Sequence, residues 1–244
     1  MGSTSETGHI KNLAYFEDLI SYCQAYGTTY NPSNAALTIT QLQAVYTAAQ
    51  TMMNNFKVQK TGFDNAINAR RIAFEDIKPL ATRIINALIA SGAPKLTIDD
   101  AKGVNKKLQG STSNKNATEM TTTEGTESPK GISTSQQSYD RLKDHFANLI
   151  QILSQTAQYN PNENELKIPQ LQARLGALES AKTSWIAAHT TFSNAINERN
   201  ALLYHPETGL KAIALNVKVY IKSIFGSQSP QYKQVSGLKF TNKK

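Results

Sequence analysis

The sequence predicts an all-α protein, a tandem duplication of a helical-hairpin or bundle unit with one long central helix per copy. Three observations predict it. Blocks of residues recur at one constant spacing, apolar side chains recur three and four apart through both copies, and strand signals are nearly absent. The recurrence is direct. Tyr30-Asn31-Pro32 returns as Tyr159-Asn160-Pro161, and Gln41-Leu42-Gln43-Ala44 as Gln170-Leu171-Gln172-Ala173. Phe63, Asn65, Ala66, Ile67, Asn68 and Arg70 return as Phe192, Asn194, Ala195, Ile196, Asn197 and Arg199. All are separated by 129 residues, as Tyr30 is from Tyr159. Ahead of the Tyr-Asn-Pro turn the spacing is one longer, with Phe16, Leu19 and Ile20 matched by Phe146, Leu149 and Ile150.

The first helix of copy one is expected over about 10–26. Leu13, Phe16, Leu19, Ile20 and Cys23 fall on one face, as Leu142, Phe146, Leu149, Ile150 and Leu153 do in copy two. Cys23 takes the slot of Leu153 and reads as a small core side chain. As the only cysteine it excludes an intramolecular disulfide. Gly27 and the Tyr-Asn-Pro turn end this helix.

The second helix starts near Thr40, matched by Pro169, a residue suited to a first helical turn. Leu42, Val45, Ala49, Met52, Phe56, Phe63 and Ala66 keep helical spacing, echoed by Leu171, Leu178, Ala181, Trp185, Ala188, Phe192 and Ala195. One helix of about 36 residues, roughly 54 Å long, fits the pattern. It would pack in coiled-coil style. Gly62 does not break it, since Thr191 stands at the matched position.

Lys78-Pro79 and His205-Pro206 then mark turns. A third helix follows in each copy, carrying Leu80, Ile84 and Leu88, or Leu210, Ile213, Val217 and Ile221. Gly92 and Gly226 stop it. A short helix near 97–108 closes copy one. Either the short helices line up along the long one, or the two long helices lie side by side and complete one bundle.

The domain reading is a disordered N-terminus over 1–9, repeat units over 10–109 and 138–226, a Ser/Thr-rich linker over 110–137, and a basic tail over 227–244. The linker has almost no large apolar residue besides Met120 and Ile132, too few to offset the entropy of ordering it.

Composition narrows the function. Net charge is +8, but charged residues are only 18% of the chain, so the surface is polar and largely uncharged. No apolar run approaches membrane-spanning length, which makes a membrane partner an unsupported reading. The Met-Gly-Ser-Thr-Ser-Glu start has no apolar signal segment, and Glu6 stands where a myristoylation site needs Ser or Thr. The expectation is a cytoplasmic protein.

Two groups of residues stand out. The first is Asn-Ala-Ile-Asn-x-Arg in both copies: Asn65, Asn68 and Arg70, then Asn194, Asn197 and Arg199. Asparagine is a poor residue for a helix interior. Its retention reads first as a buried polar network that fixes register, and second as a polar ligand or partner site. The second group is basic. Lys211, Lys218 and Lys222 share one helix face, and Tyr232, Lys233, Lys239, Phe240, Lys243 and Lys244 follow, with no acidic residue after Glu207. Lysines with interleaved aromatics suit phosphate contact and base stacking. With only six arginines in the chain, the residue preferred for phosphate forks is scarce. A solvated lysine face on a core helix is the plainer reading.

His9, His145, His189 and His205 form no pair at metal-ligand spacing, and no catalytic, cofactor or metal signature is recognisable. Along Phe225-Gly226 and Ser229-Pro230-Gln231-Tyr232-Lys233-Gln234-Val235-Ser236-Gly237-Leu238-Lys239-Phe240, and at the Tyr-Asn-Pro and Leu-Gln-Ala blocks, the chain resembles a group of uncharacterised helical proteins of Bacteroidota. That resemblance spans both copies. It implies an all-helical bacterial protein and brings no activity with it. The expected function is a non-enzymatic interaction or scaffold protein, acting through helix surfaces on a protein partner or by self-association. The alternative is nucleic-acid binding by the lysine-rich C-terminal half.

Overall fold

A computed structural model describes residues 4–110 and 137–241. The linker expected at 110–137 therefore lies almost wholly outside the described residues, as do Lys243 and Lys244. Helices account for the fold, with no strand among the described residues. In chain order they are α1 (Thr4–Ala25), α2 (Ile39–Phe74), α3 (Ile77–Ala90), α4 (Lys95–Gln109), α5 (Tyr139–Ser154), α6 (Ile168–Tyr204), α7 (Leu210–Phe225) and α8 (Pro230–Ser236). Single 3-10 turns at Ala35–Leu37 and Asn164–Leu166 lead into α2 and α6. Those two helices run 36 and 37 residues without interruption.

The local chemistry explains the boundaries. Ser138 and Ser229 cap α5 and α8 by accepting from the amides of Arg141 and Tyr232, and Pro230 occupies the first turn of α8. Past the end of α3, Gly92 sits at φ +75°, a left-handed angle that a side chain resists. Lys78-Pro79 is not a turn between helices. It lies inside the first turn of α3, where proline loses no helical bond.

The described chain forms two compact units, and they do not coincide with the repeat segments 10–109 and 138–226. Unit 1 comprises 1–64 and 187–244; unit 2 comprises 65–186. Each therefore draws helices from both repeats. In unit 1, Phe16, Leu19, Ile20 and Cys23 of α1 share a core with Leu42, Ala49 and Met53 of α2, Ile213, Val217 and Ile221 of α7 and Val235 of α8. In unit 2, Phe146, Leu149, Ile150 and Leu153 of α5 share a core with Ile77, Ile84 and Leu88 of α3, Ala101 and Leu108 of α4 and Leu171 and Leu178 of α6. Burying each such side chain contributes about 1.5–3 kcal/mol, so neither core closes on one repeat alone.

The same loop device occurs in both units. Tyr30 Oη donates to the Leu37 carbonyl at 2.7 Å, and Tyr159 Oη donates to the Leu166 carbonyl at 2.8 Å. Each ring is buried and each bond ties down the turn that starts a long helix. Tyr-Asn-Pro thus marks a helix entrance as well as a helix end.

Helical structure extends into the segment expected to be disordered at the start and into the segment read as a basic tail. Helix α1 begins at Thr4, six residues before the expected start, and His9 is buried because Tyr204 offers its Nδ1 a partner at 2.6 Å. The expected basic tail contains α8, whose Val235 is wholly buried.

A fragment ending at Gly110 lacks Ile213, Val217, Ile221 and Val235. It should show no cooperative melt by circular dichroism; a melt matching that of the full chain would mean that one repeat folds alone. Burial also raises the Cys23 thiol from 9.0 to about 12 and the Tyr159 phenol from 10.0 to about 12. Both hold their protons more tightly when folded, so this stability is full below pH 9 and is lost as pH climbs toward 12. Urea midpoints should hold to about pH 9 and then fall. Cys23→Ala should remove the earliest part of that slope.

Candidate functional site

The retained Asn-Ala-Ile-Asn-x-Arg signature divides by side chain. Asn65, Asn68, Asn194 and Asn197 are all exposed, so the expected buried asparagine network does not form. Their positions fall on the outer face of α2 and α6. The arginines turn inward instead. In unit 2 the Arg70 guanidinium lies 3.9 Å from the Trp185 ring centre and 4.6 Å from that of Tyr139. In unit 1 the Arg199 guanidinium lies 4.2 Å from the Phe56 ring, and Arg199 is only 7% exposed. Trp185 stands 129 residues after Phe56, the same spacing that relates Arg199 to Arg70. Each arginine therefore stacks on the aromatic contributed by the other repeat.

This geometry holds the long helices against each other within each unit. In unit 1, Phe192 packs 5.4 Å from both Phe56 and Phe63, and His189 packs 5.4 Å from Phe63. In unit 2, Arg174 donates to the Ala73 carbonyl at 2.8 Å and pairs with Asp76. Within each unit, later residues of α2 meet earlier residues of α6, so the helices are antiparallel there. The space between them holds aromatic rings and guanidinium groups rather than a leucine seam. An arginine over an aromatic face contributes about 0.5–2 kcal/mol, the upper end where water is excluded.

The basic residues also divide. Lys218 Nζ caps the C-terminal segment: it donates to the Leu238 carbonyl and reaches the Ser236 carbonyl at 3.5 Å. It sits 5.3 Å from the Phe240 ring, and burial lowers its pKa from the ordinary lysine value. Phe240 also meets Tyr15 edge to face at 6.3 Å. Lys222 lies over Tyr232 at 5.8 Å. Tyr232 and Phe240 are half-buried against the core of unit 1, which reduces the ring area open to a base. Lys211 is half-buried, whereas Lys222, Lys233 and Lys239 are exposed. The helix face that carries Lys218 and Lys222 is thus partly covered by α8 and the segment after it.

That segment is pinned by residues the sequence does not single out. Asn12 is wholly buried on α1. Its Oδ1 accepts from the Thr241 amide at 2.8 Å, and its Nδ2 donates to the Thr241 carbonyl at 3.1 Å. The Asn12 amide also reaches Tyr204 Oη at 3.3 Å, and Tyr204 is raised above the ordinary phenol range by burial. The visible signal was a polar Asn12 next to the apolar stripe of α1; it gave no hint of a partner at the far end of the chain.

Among the described residues no group of three or more His, Cys, Asp and Glu side chains could hold a metal ion. No helix among them is long and apolar enough to cross a membrane. In comparisons with known proteins, the chain matches no family model, no curated protein and no solved structure.

Trp185 is the only tryptophan, so it reports the Arg70 stack directly. Arg70→Met keeps the alkyl stem and removes the charge. It should shift Trp185 emission and cost about 1 kcal/mol in urea unfolding. Unchanged emission and an unchanged midpoint would show that the stack does not hold α2 against α6.

Proposed function

We propose that the protein is a non-enzymatic interaction or scaffold protein built from a duplicated helical unit, and that it works through the outward faces of its long helices. The observation that carries this reading is the chemistry of one face of α2. From Ile39 to Phe56 the helix has no charged residue. Ala44, Thr47, Ala48, Thr51, Met52 and Asn55 line a shallow groove of about 720 Å³ on it. At the matched positions of α6 stand Ala173, Gly176, Ala177, Ser180, Ala181 and Ser184, which are again small and uncharged. Small side chains let another helix approach closely, and the lack of charge lowers the desolvation cost of covering the face. Both repeats keep this character, so the reading is of two similar faces that receive helices of a protein partner or of a second copy. A cytoplasmic setting belongs to the same reading.

Nucleic-acid binding is the second reading, favoured by the net charge of +8 and by the exposed Lys222, Lys233 and Lys239. The rings that would stack bases are half-buried within unit 1, so phosphate contact dominates. Such binding would be weak, salt-sensitive and sequence-independent.

Ala48→Arg with Ala177→Arg places a charge on each smooth face without touching either core. Light scattering and affinity capture on the full chain should show self-association or a retained partner that this double variant loses at unchanged melting temperature. A monodisperse monomer that retains no partner would overturn the proposal. Mobility shifts at low salt, lost on reversing Lys222, Lys233 and Lys239 to Glu, would favour the second reading.

A further inference from the structure

Helices α3 and α7 bury residues in the same register: Ile77, Ala81, Ile84 and Leu88 correspond to Leu210, Ala214, Val217 and Ile221. Both lie against the turn that the tyrosine bond ties down, α3 against Asn164–Leu166 in unit 2 and α7 against Ala35–Leu37 in unit 1. At the core edge this register makes Tyr220, whose ring meets Tyr30 edge to face at 5.4 Å, the counterpart of Ala87. On the outward side it makes Leu215 the counterpart of Thr82, and Val219 that of Asn86. All four are exposed. Thr82 and Asn86 suit water. Leu215 and Val219 do not, yet they stand 46% and 66% exposed. The framework accepts polar residues at both places, as α3 demonstrates, so the fold does not require an apolar pair on α7.

We propose that this face of α7 docks an acidic amphipathic helix of a protein partner, at a surface separate from the long-helix faces. Leu215 and Val219 are four residues apart, so their side chains are neighbours. A lone exposed apolar residue is ordinary, whereas an apolar pair bordered by charge has the pattern of a docking site. Lys222 lies seven residues after Leu215, on the same face, and is exposed. Its amine is 5.8 Å from the Tyr232 ring, which brings the exposed Lys233 of α8 to that end of the face. Charge selects the occupant. From Thr208 to Lys244 there are seven lysines and no acidic residue. The matched region of unit 2 answers its own charge, with Arg83 held by Glu165 at 2.7 Å and with Asp99 and Asp100 on α4. A positive surface favours an anionic partner. The apolar pair then disfavours a bare polyanion, because phosphates gain nothing from leucine and valine. A helix suits the exposed ridge: its own apolar residues, three and four apart, straddle Leu215 and Val219, and flanking glutamates reach Lys222 and Lys233.

The full-length chain is titrated into a fluorescein-labelled helical peptide of about four turns, with leucines three and four apart on one face, glutamates beside them and alanine and glutamine elsewhere. Two control peptides carry lysine in place of glutamate, or alanine in place of leucine. Fluorescence anisotropy should show saturable one-site binding of the acidic peptide, weakened by added salt. Both controls should bind at least about tenfold more weakly. Leu215→Thr with Val219→Asn installs the residues that unit 2 already carries, so the melting temperature should hold while affinity falls at least about tenfold. Lys222→Glu with Lys233→Glu should lower it by a similar factor. Ala48→Arg with Ala177→Arg alters the long-helix faces and should leave the affinity unchanged; a loss there would place the peptide elsewhere and overturn the proposal. Binding that never saturates, equal binding of the lysine peptide, or full affinity in a folded Leu215→Thr, Val219→Asn chain would also overturn it. So would a chain that ignores the peptide yet sediments with vesicles of phosphatidylserine and phosphatidylcholine in equal parts, since the face would then serve a lipid surface.

Discussion

The apolar face of α1 carries Phe16, Leu19, Ile20 and Cys23, and what covers it comes largely from the other end of the chain: Ile213, Val217 and Ile221 of α7, then Val235 of α8. The apolar face of α5 is covered in the same manner by α3 and α4, which precede the Ser/Thr-rich stretch. A helix with one apolar stripe must bury it against another element, and here the neighbour along the sequence covers only part of it, the rest coming from helices far along the chain. Loop closure explains why this arrangement is tolerable. The cost of bringing chain ends together grows only with the logarithm of the intervening length. A long intervening segment therefore adds little to the cost of sharing a core, while the shared core supplies burial that one repeat lacks. Folding speed is the quantity that suffers, because contacts between distant residues form late.

The arginine signature follows from the same constraint. Helices from two repeats must meet at a defined height, and an apolar seam alone permits sliding. A guanidinium over an aromatic ring is more selective: it needs the ring, the charge and the distance together. Arg70 over Trp185 and Arg199 over Phe56 supply one such contact per unit, each joining a residue of one repeat to a residue of the other. Aromatic size also keeps the long helices apart, so Phe63, His189 and Phe192 fill the interval in unit 1. The exposed asparagines need another account, since their side chains face solvent. They support no register, and their persistence in both copies fits a surface that meets something outside the fold.

The sequence made legible whatever depends on near neighbours. Helical periodicity placed the start of α2 near Thr40 and that of α6 near Pro169, each one residue from the observed Ile39 and Ile168, because apolar residues such as Leu42, Ala49 and Phe56 repeat on one face. It located the third helices through Ile84 and Leu88, or Val217 and Ile221. What it left hidden depends on partners far along the chain. His9 falls in the segment expected to be disordered and Asn12 lies off the apolar stripe of the first helix, yet both are buried beside Tyr204 and Thr241. Lys218 read first as part of a solvated lysine face and second as a phosphate contact; its amine donates to the carbonyls of Ser236 and Leu238. Tyr-Asn-Pro was recognisable as a turn, whereas the bond from its hydroxyl to a carbonyl seven residues on was not, since no periodicity encodes it. The exchange of helices between repeats was equally invisible, because matched segments pack alike whether they pair within a repeat or across repeats.

The two units share a loop device and an arginine stack, and they differ at the edges of their cores. Each core takes helices from both halves of the sequence, and each unit carries the loop tyrosine, the arginine and an aromatic beneath it. Positions at the edge of a core are less constrained, because filling them adds stability without being required for the fold. Tyr220 and Ala87 occupy one such position. With the ring present, the turn beside Tyr30 is packed and closed, and unit 1 gains the dispersion of an aromatic pair. With alanine there, Tyr159 is as buried as Tyr30 and the turn beside it still holds through its own bond to Leu166, so neither burial nor turn depends on a second ring.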